Sequence, residues 1–68
     1  MSGFISRVIE EKKELDLKLE KLNAFLESSA SDELCKGDEY LLRRQRQVMT
    51  EYSCVLSTRI ERFWGTLL

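Results

Sequence analysis

From Ile5 to Leu26 the apolar residues Ile5, Val8, Leu15, Leu19, Leu22 and Leu26 fall at alternating steps of three and four once Lys12 is counted in the series. That spacing is a heptad seam, a single apolar stripe along one face of an α-helix. A second series follows through Leu42, Gln45, Met49, Tyr52, Leu56, Ile60 and Phe63. No proline interrupts either series, and the one obvious break is the stretch SSASDELCKGD, which Gly37 closes. The spacing predicts a helix over about 4–27, a linker over about 28–37 and a second helix over about 38–64. Each helix would be roughly 36–40 Å long at the usual rise per residue. Equal lengths joined by a short break favour an antiparallel two-helix hairpin, an all-α single domain over 1–68.

Local signals refine the expectation. Asp38 suits the N-cap of the second helix, and Glu39 suits the positive end of its dipole. Gly65 is expected to loosen or end that helix. Lys12, the polar residue in the first seam, is expected to pack its stem and send its ammonium to water. Glu14 and Lys18 form an i,i+4 pair of the favourable polarity.

A chain of 68 residues buries a small share of its surface and usually needs help from disulfides, a metal or a second copy. The two cysteines, Cys35 and Cys54, allow one bridge at most and show no metal-ligand spacing, and there is no histidine. Oligomerisation remains. Apolar residues off the seams support it: Val48 and Val55 lie to one side of the second helix, Phe4 and Phe25 to one side of the first, and Trp64, Leu67 and Leu68 end the chain. A lone hairpin would expose most of these. The expected architecture is a hairpin assembling into a homo-oligomeric helical bundle.

Eleven basic and twelve acidic residues give a net charge of −1, which argues against bulk binding to duplex nucleic acid. No apolar run is long enough to span a membrane, and the N-terminus lacks the layout of a signal peptide. A cytosolic setting with reduced thiols is expected. Ser53, Ser57 and Cys54 have no histidine partner, no carboxylate pair marks an apolar pocket, and no glycine-rich phosphate loop is present. Binding or scaffolding is therefore favoured over catalysis, with no cofactor and no metal.

Two groups of residues bear on binding. Arg43, Arg44 and Arg46 stand within four positions, yet at 100° per residue they do not share a face. Arg46 flanks the seam on one side, Arg44 flanks it on the side of Val48 and Val55, and Arg43 points away. If Val48 and Val55 form a subunit contact, Arg44 from several chains would converge on an anion, and phosphate fits the guanidinium fork. The plainer alternative is solvated charge, with Glu39 pairing to Arg43. On the first helix Phe4, Glu11, Lys18 and Phe25 recur every seven residues, with Lys21 nearby. Aromatic rings interleaved with lysine can stack bases and neutralise phosphate. The alternative is that Phe4 and Phe25 pack at the edge of the core or in an oligomer contact.

The segments FISRVIEEKKELDLKLEKLNAFLESS and LLRRQRQVMTEYSCVLSTRIERF, in particular Lys18-x-x-Lys21-Leu22-x-x-Phe25 and Leu42-x-x-Gln45-x-x-x-Met49-x-x-Tyr52, resemble the hairpin domain of small phage anti-defence sponges. These proteins sequester cyclic oligonucleotide messengers of bacterial systems such as CBASS and Thoeris. The resemblance covers Phe4 to Phe63. It implies a hexamer that hides its ligand in the host bacterial cytoplasm without cleaving it. It also implies cyclic dinucleotide pockets shared by two subunits near the first helices, and in some members separate three-fold pockets for cyclic trinucleotides. On that resemblance Phe4 is the candidate for base stacking, a Phe where a Tyr is often found. Lys18 and Lys21 are the candidates for phosphate contact with a dinucleotide, and Arg44, with Arg43 as the alternative, for a trinucleotide. Two other readings stand beside it. One is a helical interaction module that blocks a host protein through an amphipathic face anchored by Phe63 and Trp64. The other is a nucleic-acid accessory protein using the five arginines between Arg43 and Arg62.

Overall fold

The computed structural model describes residues 2–67, with side chains from 3 to 65. Helix α1 runs Ser2–Glu27, a 3-10 turn runs Ser29–Glu33, and helix α2 runs Lys36–Leu67. The two helices pack along each other as a hairpin, a rod 49 Å long and 14 Å across. Among the described residues no helix is long and apolar enough to cross a membrane.

The connection is built from serines rather than glycine. Ser28 Oγ donates to the Phe25 carbonyl at 2.7 Å, and Ser31 Oγ donates to the carbonyls of Leu26 and Ser28 at 3.2 and 2.9 Å. The Phe25 and Ser28 carbonyls also accept the Ser28 and Ser31 N–H groups at 3.1 and 3.3 Å, so the hydroxyls reinforce a turn that closes the end of α1. Ser31 is buried for that reason. Gly37 is not the turning residue: no glycine among the described residues has positive φ, and Gly37 already lies inside α2. Helix α2 also begins earlier than its capping signal suggests. The Glu39 N–H donates to the Cys35 carbonyl at 3.0 Å, so Asp38 stands in the first turn rather than at the cap. There its charge still favours the helix dipole. Gly65 does not end α2, which continues to Leu67.

The core sits at the open end of the hairpin. Ile5, Val8 and Leu56 are buried together, and Ile9, Leu15, Ile60 and Phe63 pack against them. Leu26 is buried at the closed end. The α1 seam falls where its spacing places it. The α2 seam differs at two positions. Gln45 and Tyr52 are exposed at the edge, whereas Arg46 and Ser53 are half-buried between the helices. The series Leu42, Arg46, Met49, Ser53, Leu56, Ile60, Phe63 alternates four and three without a break, and a regular helix keeps that series against its partner.

Midway along the rod the seam turns polar. Lys12 Nζ donates to Asp16 Oδ2 at 2.6 Å and to Ser53 Oγ at 3.2 Å, and Ser53 Oγ donates to Asp16 Oδ1 at 2.6 Å. Lys12 therefore does not simply send its ammonium to water. Its charge is taken by Asp16 and the facing Ser53 hydroxyl, and the hydrogen bonds from Lys12 first and Ser53 second hold the Asp16 carboxyl below its ordinary range. One position away the Tyr52 hydroxyl donates to Glu11. That bond to a carboxylate pushes the phenol above its ordinary value.

Candidate functional site

Two helices packed side by side in a rod 14 Å across offer a ligand their outer faces. Three faces carry chemistry.

The first is the flank of α1 that bears Phe4, Glu11, Lys18 and Lys21. All four side chains are exposed, and Phe4 shows 59 % of its surface. Phe25 is half-buried and belongs to the packing at the closed end. Lys18 does not pair with Glu14: the ion pairs among the described residues are Lys12–Asp16 and Arg43–Glu39. Lys18 and Lys21 thus present ammonium groups to solvent without an acidic partner. The structure does not bring Phe4 and Lys18 together. Fourteen residues of helix separate them by about 21 Å, farther than one nucleotide extends from base to phosphate. A single chain cannot offer both to the same nucleotide. Two α1 helices laid antiparallel can, because Phe4 of one then comes level with Lys18 of the other.

The second face is on α2. Leu41, Val48 and Val55 are exposed at heptad spacing, with Arg44 among them. The arginines are now distinguished. Arg43 Nε lies 3.9 Å from Glu39 Oε1. Arg44 has only a neutral neighbour, donating to Gln47 Oε1 at 3.4 Å. Arg46 packs its stem into the seam and is half-buried. The structure therefore leaves Arg44 as the arginine of the three whose charge is exposed on the apolar stripe with no carboxylate against it.

The third face is the C-terminal end. Trp64 is 49 % exposed and meets Phe63 edge to face at 5.7 Å. Phe63 itself packs on the Ile5 cluster, so it is core rather than a second anchor. The side chain of Leu67 and all of Leu68 lie outside the described residues.

The placement of Gln45 and Tyr52 was the feature the sequence reading missed. The signal was present: replacing them by Arg46 and Ser53 keeps strict alternation, and polarity alone argued against those two. Their true position matters because the Tyr52–Glu11 bond places the edge of α2 beside the Phe4–Lys18 flank of α1. Leu17, Tyr40 and Leu41 are further exposed apolar residues that the seam pattern did not single out.

No curated protein and no solved structure matches this chain. A family model described as Sequestin matches residues 2–62, nearly all of the hairpin, and the chain belongs to the Sequestin family.

Proposed function

We propose that this Sequestin-family hairpin binds cyclic di- and trinucleotide messengers of bacterial anti-phage signalling and hides them without cleaving them. The family description points to sequestration. The observation that carries the ligand class is the set of exposed cations with no carboxylate partner, Lys18, Lys21 and Arg44, set among exposed aromatic and aliphatic residues. Phosphate takes such cations with charge-assisted hydrogen bonds, and a base takes the open face of Phe4.

Phe4 of one chain and Lys18 with Lys21 of another supply a dinucleotide pocket between two α1 helices. Arg44 supplies a trinucleotide pocket where copies meet along Leu41, Val48 and Val55, and Arg43, already paired with Glu39, is the weaker candidate. A two-fold ligand suits a two-fold pocket and a three-fold ligand a three-fold one. The assembly is a homo-oligomer, a hexamer on the resemblance, and it acts in the bacterial cytoplasm where the messengers are made. The ligand is held and released intact rather than turned over. The test is equilibrium binding followed by heat denaturation and chromatography of the released ligand. Recovery of unaltered cyclic nucleotide in stoichiometric amount supports the reading, and a linear product contradicts it.

Exposed Trp64 favours one alternative, a helical module that docks on a host protein. That reading predicts that Trp64→Ala abolishes activity against the host while cyclic-nucleotide affinity is nil in the parent.

A further inference from the structure

The Tyr52–Glu11 bond fixes which residues of the two helices stand level on the open flank. Steps of seven keep the same flank on both helices, running in opposite directions along an antiparallel pair. Phe4 on α1 is then level with Arg59 on α2, and Lys18 with Gln45. The packing agrees, since Ile5 and Val8 lie against Leu56, Ile60 and Phe63. Arg59 is exposed, stands in no ion pair among the described residues, and is close enough to Tyr52 for its charge to act on the phenol. Arg59 therefore stands on the α2 side of the flank that runs from Phe4 to Glu11.

We infer that Arg59 contacts the phosphodiester of the nucleotide whose base stacks on Phe4, so that it belongs to the Phe4 half of the dinucleotide pocket. This rests on the sequestration reading above. The geometry favours Arg59 over the other cation near Phe4. Arg7 directs its Nε along its own helix to the Gly3 carbonyl at 3.3 Å. Arg59 reaches the flank from the facing helix and keeps its whole fork for a ligand. Glu11, on the same flank, accepts the Tyr52 hydroxyl and forms no ion pair with Arg59. Each half of the two-fold pocket would then hold Phe4 and Arg59 from one chain and Lys18 from the other.

The experiment uses the full chain, with Kd measured by calorimetry against cyclic di-AMP and cyclic di-GMP and folding checked by circular dichroism. The variants are Arg59→Ala, Arg59→Lys, Phe4→Ala and Lys18→Ala. Loss of a charged hydrogen-bond partner predicts Kd weaker by roughly ten- to a hundredfold for Arg59→Ala, with partial recovery in Arg59→Lys. Co-assembled chains then locate the residue. Arg59→Ala paired with Lys18→Ala leaves one half of each mixed pocket intact, whereas Arg59→Ala paired with Phe4→Ala leaves neither half intact and binds more weakly. Parental binding with unchanged Kd in Arg59→Ala, or restoration by the Phe4→Ala mixture, overturns the assignment and leaves sequestration standing. No binding by the parent overturns both. If Arg59→Ala does not fold, Arg59→Lys and Arg59→Gln carry the same comparison.

Discussion

Ser53 carries two of the side-chain contacts that join the helices, although it is a short polar residue in a mostly apolar seam. Its hydroxyl accepts from Lys12 and donates to Asp16, which satisfies all three groups where an aliphatic residue would leave a lysine and an aspartate paired only along one helix. Ser53→Ala should lower the denaturation midpoint more than Gln45→Ala, because Gln45 is exposed and its amide meets only Met49 Sδ, at 3.7 Å on its own helix. A urea titration followed by circular dichroism makes the comparison, and equal effects would restore Gln45 to the seam. Leu56 is the described residue with no exposure at all. Leu56→Ala should cost about 2–5 kcal/mol by leaving a cavity at the centre of the cluster, enough to unfold a domain of this size.

At the level of the helices, two oppositely signed titrations bound the stability of the hairpin. Asp16 is depressed by Lys12 and Ser53, so its contribution is complete above the unfolded aspartate value and is lost as pH falls below about 4. Tyr52 is raised by its bond to Glu11, so its contribution is complete below the unfolded tyrosine value and is lost as pH climbs past about 10. Thermal melts across pH should show a plateau that falls at both ends. Tyr52→Phe should flatten the alkaline fall and leave the acid one, and an unchanged alkaline limb would remove the cross-helix bond from the account.

The two helices and their antiparallel pairing were legible from the three-and-four spacing, because a heptad stripe on each of two similar segments has few other ways to be covered. The α2 register was less legible. An arginine and a serine inside a seam look wrong by polarity, and only the facing Lys12 and Asp16, a long-range pairing, make Ser53 suitable there. The connection was misjudged for a similar reason. Serine hydroxyls closing carbonyls replace the glycine turn that composition suggests. For the candidate site, Lys18, Lys21 and Arg44 could be proposed from residue type and helical angle. Their lack of acidic partners, and the alignment of Arg59 with Phe4, required the hairpin.

For the molecule as a whole, the balance of buried and exposed apolar surface points outward. Ile5, Val8, Leu26 and Leu56 are buried, while Phe4, Leu17, Tyr40, Leu41, Val48, Tyr52, Val55 and Trp64 are exposed large apolar residues. A rod that leaves these eight large apolar side chains exposed is suited to further copies. Val48→Asp with Val55→Asp should yield a smaller species by sedimentation with helicity retained, and should lose trinucleotide binding along with assembly. Retention of the parental sedimentation coefficient would place the subunit contact elsewhere.

Sequestration is tested most directly by a thermal-shift panel on the purified full chain, with cyclic di- and trinucleotides set against their linear forms. A ligand that binds only the folded protein raises its melting point by mass action. Sequestration predicts a rise of several degrees with at least one cyclic species and none with the matching linear one. A flat panel from a folded, oligomeric protein would contradict it.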